Sequence, residues 1–161
     1  MKRGSFVMIL LLMFWGCSSK TLVHSEHEKL LDFGMANSKK VEILGENNAK
    51  AYFTITYLNP MKDTLINPQE SEKFIVGTYV ATGNEKEQSI KLSNFKVNGS
   101  SANVNVTKLE KDAPLLSLIS SANPWTEYLL IEAPYTKKHK MKLSFENDHS
   151  VKVSADFQKD F

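Results

Sequence analysis

Cysteine occurs once in the 161-residue chain, at Cys17, so neither an intramolecular disulfide nor a cysteine metal cluster can form. Arginine is as scarce: Arg3 stands alone, and every other basic residue is lysine. The domain therefore lacks the planar fork that grips phosphate or guanine in two places, and nucleic acid is not an expected partner. The apolar run from Phe6 to Trp15 has only ten residues and would make a helix of about 15 Å, half of the roughly 30 Å hydrocarbon layer, which argues against a membrane-spanning helix. Catalytic signatures are missing as well: there is no Gly-x-Ser-x-Gly elbow, Gly-rich phosphate loop or His-Glu-x-x-His helix, and a non-enzymatic protein is expected. With 42% hydrophobic and 24% charged residues, the composition is that of one ordinary globular domain that needs no disulfide framework.

What is present begins with a segment unlike the rest. Lys2 and Arg3 precede the apolar run, and Gly16-Cys17 follows it. This arrangement resembles a bacterial lipoprotein signal peptide, with residues 1–16 removed and Cys17 acylated as the first residue of the mature chain. Phe14 and Trp15 occupy places where such signals usually carry an aliphatic and a small residue. Loss of Lys2 and Arg3 leaves 18 basic against 18 acidic side chains, so no electrostatic hold on anionic lipid is built in. The resemblance instead implies attachment through acyl chains, each buried methylene contributing about 0.8 kcal/mol and more than one chain being needed for a stable anchor. Ser18 stands where many Gram-negative lipoproteins carry an inner-membrane retention Asp, which implies the outer membrane.

Residues 17–40 read as the lipidated Cys and a polar tether, with one or two helical turns around Leu30, Leu31 and Met35. His24 and His27 have an i, i+3 spacing that suits a metal, yet no third ligand lies nearby. From Val41 to Phe161 the dominant signal is period two. Ala49, Ala51, Phe53, Ile55 and Tyr57 alternate with Lys50, Tyr52, Thr54 and Thr56; Phe74, Val76 and Val80 continue the pattern. A strand over 89–97 changes parity between Leu92 and Phe95, which predicts a bulge at Ser93-Asn94. Asn98-Gly99 is a strong hairpin signal and is expected to join that strand to Ala102, Val104 and Val106. Trp125 to Ala133 reads as a buried strand ended by Pro134, and Met141, Leu143 and Phe145 turn at Asn147-Asp148 into Val151, Val153, Ala155 and Phe157.

Seven or eight strands, separated by turns at intervals of roughly 8 to 12 residues and without a strong amphipathic helix between them, predict an all-β fold: an immunoglobulin-like antiparallel β-sandwich. The Cys-Trp-Cys pattern of antibody domains is absent, so the expectation concerns architecture alone.

Two surfaces suggest a function. The apolar stretch Leu115, Leu116, Leu118 and Ile119, beside Trp125, either docks an envelope protein or closes one end of the sandwich. His139 and Met141, two apart on a strand, would project from one face as an imidazole and a thioether, ligands suited to Cu(I). With Ala51 to Thr56 and the last hairpin, that pair is similar to periplasmic copper chaperones of cupredoxin-like fold, which add an upstream His or Met; between Gly77 and Thr136 this chain has neither. Asp148-His149 sits in a turn where exposed polar residues are expected, and Glu127 and Glu132 are on opposite faces of one strand. The combined expectation is a membrane-anchored interaction module without a cofactor, acting as an assembly accessory or adhesin, and the alternative is a copper carrier.

Overall fold

The computed structural model describes residues 26–44, 50–61, 63–81, 90–120 and 122–159. The signal segment, Cys17 and His24 lie outside them. Helix α1 (Glu26–Ala36) leads into eight strands: β1 (Ser38–Leu44), β2 (Lys50–Tyr57), β3 (Ser71–Ala81), β4 (Leu92–Val97), β5 (Asn105–Leu109), β6 (Glu127–Pro134), β7 (Lys140–Asn147) and β8 (Lys152–Gln158). A 3₁₀ turn, Pro114–Leu118, precedes β6.

The strands form two antiparallel sheets, ordered β1-β2-β3-β6-β5 and β4-β7-β8. With β2 to β8 taken in order as A to G, the neighbours are A-B-E-D and C-F-G, the arrangement of an immunoglobulin constant-type sandwich, and β1 is an added edge strand beside A. Alternation explains the core between the sheets. Phe53, Ile55, Phe74, Val76, Ile131, Met141, Leu143, Phe145, Val153 and Phe157 all point inward and are buried. Aromatic rings occupy the middle: Phe53 and Phe95 pack on Phe145 at 5.5 and 5.4 Å between centroids, and Tyr57 stacks on Phe74 at 4.8 Å.

Part of the outer face of the five-stranded sheet is covered. Leu58, Met61, Ile66, Ile75, Leu116, Leu118, Ile119 and Tyr128 form a second apolar cluster there. Helix α1 joins this layer so closely that a Cβ on Gly34 would stand 2.7 Å from the Leu118 carbonyl oxygen. Its end is tied to the sheet: Asn37 Nδ2 donates to the Phe33 carbonyl (3.0 Å), and Ser38 Oγ donates to Gly34 O (2.7 Å) while meeting Thr56 Oγ1 at 2.7 Å. The segment expected to be a tether up to residue 40 thus contains a packed three-turn helix and the start of β1 at Ser38. Its weak apolar stripe needs only the narrow contact that Gly34 permits, which is why periodicity understated it.

The strand ladder also corrects one pairing. The Asn98-Gly99 turn exists, with φ of 52° and 84° and Val97 and Ser100 bonded in both directions. The bulge is there too, as a register shift between Ser93 and Lys96. However, β4 pairs with β7 and β5 pairs with β6 in the other sheet, so the turn does not make a β4-β5 hairpin. Asn98 is sewn to β7 instead: its N–H donates to Lys142 O (2.8 Å) and its Oδ1 accepts from the Lys142 N–H (2.9 Å). After it the chain crosses between sheets through Asn103, at φ 55°, leaving Ala102 exposed and Val106, opposite Ile131 on the edge strand β5, exposed as well.

Candidate functional site

Where the covering layer stops, the outer face of the five-stranded sheet is open, and the strand register determines which side chains show there. Lys40, Thr54, Gly77 and Tyr128 form one row across β1, β2, β3 and β6, and Glu42, Tyr52 and Tyr79 form the next. Tyr52 and Tyr79 are a directly opposed cross-strand pair whose rings stack at 6.2 Å with 27° between planes. The loop before β6 walls this floor and carries Trp125, 75% exposed. Lys40, Tyr52, Thr54, Gly77, Tyr79, Asn123, Trp125, Thr126 and Tyr128 enclose a shallow groove of about 340 Å³, near the small end of ligand sites.

The wall is held in one conformation by its own hydrogen bonds. Asn123 Oδ1 accepts from the Trp125 N–H (3.0 Å) and from Thr126 Oγ1 (2.9 Å), an Asx turn that points the indole outward. The Asn123 N–H donates to Tyr128 Oη (2.9 Å), and Lys111 Nζ donates to the Pro124 carbonyl (2.6 Å). Beneath, Gly77 is required because a Cβ would come within 2.9 Å of the Tyr128 ring and 3.0 Å of the Thr126 methyl. The Tyr128 ring therefore packs directly against the glycine, in the space a side chain at position 77 would take.

A second polar assembly is buried. Glu72 is fully enclosed and Lys159 nearly so, with Nζ 2.7 Å from Glu72 Oε1. Glu72 also accepts from Tyr57 Oη (2.6 Å) and from the Thr136 N–H (2.9 Å), while Lys159 donates to Thr136 O (2.9 Å) and lies 4.0 Å from the centre of the Tyr135 ring. Burial, and after it the hydrogen bond and charge of Glu72, push the Tyr57 hydroxyl well above the usual phenol range. Each charged atom has partners, so the network acts as a clamp joining β3, the 135–139 segment and the end of β8.

The residues singled out in the sequence are dispersed. Leu116, Leu118 and Ile119 are buried under α1 and Leu115 is half-buried, so the docking surface expected from them is a structural layer and Trp125 alone of the five is exposed. Trp125 precedes β6 rather than belonging to a buried strand. Met141 is buried between the sheets, its sulfur 3.5 Å from Asn98 Nδ2, whereas His139 is exposed outside β7, so the two do not share a face as a copper pair requires. Among the described residues no group of three His, Cys, Asp or Glu is placed to hold a metal. Asp148 and His149 meet at 3.8 Å in the β7-β8 turn, Glu127 pairs with Lys108 at 3.0 Å, and Glu132 with Lys73 at 3.5 Å.

Sequence reasoning missed Tyr79, Lys40 and Gly77 as groove residues, although parity already placed Tyr52 and Thr54 outward. Comparison with protein-family models, with curated proteins and with solved structures finds no match to this chain.

Proposed function

We propose that this protein is a non-enzymatic lipoprotein of a Gram-negative outer membrane, held by acylated Cys17, whose sandwich binds a component of the envelope through the groove beside Trp125. The observation that carries the reading is a Trp kept three-quarters exposed on a loop fixed by four side-chain hydrogen bonds, facing a stacked tyrosine pair. Solvent exposure of the indole forgoes burial energy, and the fixed backbone of its loop means little main-chain entropy is lost when it is covered. Aromatic anchors of this kind dominate contact surfaces, where truncation of one typically costs about 2 kcal/mol or more.

The signal at Gly16-Cys17 supports the anchor, and two measurements test the two halves of the proposal. Mass spectrometry of the protein purified from membranes is expected to find a mature N-terminus at Cys17 carrying acyl chains; an unacylated Cys17 sinks the anchor. A photo-crosslinking residue placed at Tyr79 in living cells is expected to capture a defined envelope component that the same probe at Lys138, on the far loop, does not. Equal capture at both positions sinks the groove as the contact surface.

A further inference from the structure

We propose that the groove is a glycan site, taking one or two pyranose rings of a polysaccharide chain; this rests on the groove being the contact surface. A pyranose presents flat C–H faces and an edge of hydroxyls, so its recognition needs aromatic planes and, around them, short polar side chains. The groove supplies both. Trp125 is an exposed indole on its wall, and the Tyr52–Tyr79 stack lies on its floor, Tyr79 being 42% exposed. Thr54 and Lys40 stand beside them with a hydroxyl and an ammonium group, while the Asn123 and Thr126 side chains hold the wall in place.

The same geometry disfavours a peptide. An extended peptide gains its affinity by pairing its main chain with a free strand edge; β1 has such an edge, but the groove lies on the face of the sheet, where the backbone groups of β2, β3 and β6 are engaged in their ladders on both sides. A peptide laid across this face would leave its own N–H and C=O groups without main-chain partners. An amphipathic helix needs a continuous apolar groove, and here hydroxyl and amide groups interrupt the rings. The charge is also suitable: Lys40 is the one charged side chain among the described lining residues, and the nearby Glu42 is held by Lys50 at 2.8 Å, so neutral or carboxylate-bearing sugars are accommodated and cationic partners are not.

The test uses the full chain reconstituted in phosphatidylethanolamine–phosphatidylglycerol vesicles and titrated with three tetrasaccharides: of N-acetylglucosamine, of glucose and of galacturonic acid. Calorimetry measures binding, and acrylamide quenching of tryptophan emission, with the Trp125→Ala chain as reference for any Trp15 signal, reports the indole. At least one tetramer is expected to bind and to shield Trp125. Trp125→Ala and Tyr79→Ala are each expected to weaken it about tenfold or more and Trp125→Phe to retain most of the affinity; the Trp125 variants are expected to leave the thermal midpoint in place, and Tyr79→Ala to lower it slightly through loss of the cross-strand stack on Tyr52. If the galacturonate tetramer binds most tightly, Lys40→Met is expected to remove that preference.

The proposal is overturned if none of the three binds at millimolar concentration, or if binding survives both aromatic truncations. It is also overturned if Trp125 is already shielded in the vesicles and no sugar changes that, which would assign the indole to the lipid surface. Failure of the sugars with Cys17 acylated and Tyr79 cross-linking intact removes the glycan and leaves the anchored module standing. An unacylated Cys17 with tetrasaccharide bound does the reverse.

Discussion

Lys159→Met tests whether the buried clamp behaves as its geometry requires. The methionine keeps most of the aliphatic stem and removes the ammonium that meets Glu72 at 2.7 Å, donates to Thr136 O and lies 4.0 Å from the centre of the Tyr135 ring. Glu72 then remains enclosed with a carboxylate answered only by the Tyr57 hydroxyl and the Thr136 N–H. Breaking one side of such a buried pair costs about 3–5 kcal/mol, against a total stability of about 5–15 kcal/mol for a domain. With an m-value of about 2 kcal/mol/M, the urea midpoint is expected to fall by about 2 M at unchanged slope, and the thermal midpoint by about 10 °C. Adding Glu72→Gln removes the stranded charge while keeping a carbonyl for the Thr136 N–H. The double variant is therefore expected to recover at least half of the loss, a non-additivity that a double-mutant cycle reads directly. A loss below about 1 kcal/mol for Lys159→Met, the level of an exposed pair, would refute the clamp, as would a cycle that closes additively.

Three further outcomes follow from the same geometry. Because the Tyr57 hydroxyl is held above its ordinary value of 10.0, the unfolded state loses this proton first as pH rises. Stability is thus fully present below pH about 10 and falls above it by about 1.4 kcal/mol per pH unit from this group; in alkaline denaturant titrations Tyr57→Phe is expected to flatten that slope, and an unchanged slope would contradict the assignment. Gly34→Ala gains about 1 kcal/mol of helix propensity but drives a methyl to 2.7 Å from a backbone oxygen, so a lower thermal midpoint is expected, with α1 amides exchanging faster; a raised midpoint would show that the helix is not seated there. Leu118→Ser is expected to cost about 2–5 kcal/mol in urea unfolding, as a core deletion with a buried hydroxyl, whereas a pure contact residue would leave the midpoint within about 0.5 kcal/mol.

Legibility differed between the fold and the site because the two depend on different distances along the chain. Alternation is a local property: Phe53, Ile55 and Tyr57, or Met141, Leu143 and Phe145, announce a strand and its inward face without reference to anything else. The bulge at Ser93-Asn94 and the positive φ of Asn98 and Gly99 were readable for the same reason. Which strand lies beside which was not, and the turn at Asn98-Gly99 shows why: its backbone shape is local, while its destination depends on Lys142, 44 residues away. Leu116, Leu118 and Ile119 looked like an exposed apolar loop because nothing near them in sequence reveals that α1 and the 58–66 segment complete their cluster. Glu72 carried a signal that went unread. It shares parity with Phe74 and Val76, and an inward carboxylate demands a cation, here one 87 residues away.

The sequence by itself determined an all-β sandwich with a distinct N-terminal segment ending at Cys17, since strand periodicity, turn chemistry and an apolar run all act within a few residues. Only the tertiary structure decided what the outer sheet face offers. Tyr52, Tyr79 and Trp125 are spread over 74 positions and become one surface because antiparallel pairing sets Tyr52 opposite Tyr79, Gly77 opposite Tyr128, and the Asn123–Thr126 loop above them. Pairing energy comes from backbone groups that are alike in every residue, so the register that assembles a site is selected by the whole core and cannot be read from the site residues alone.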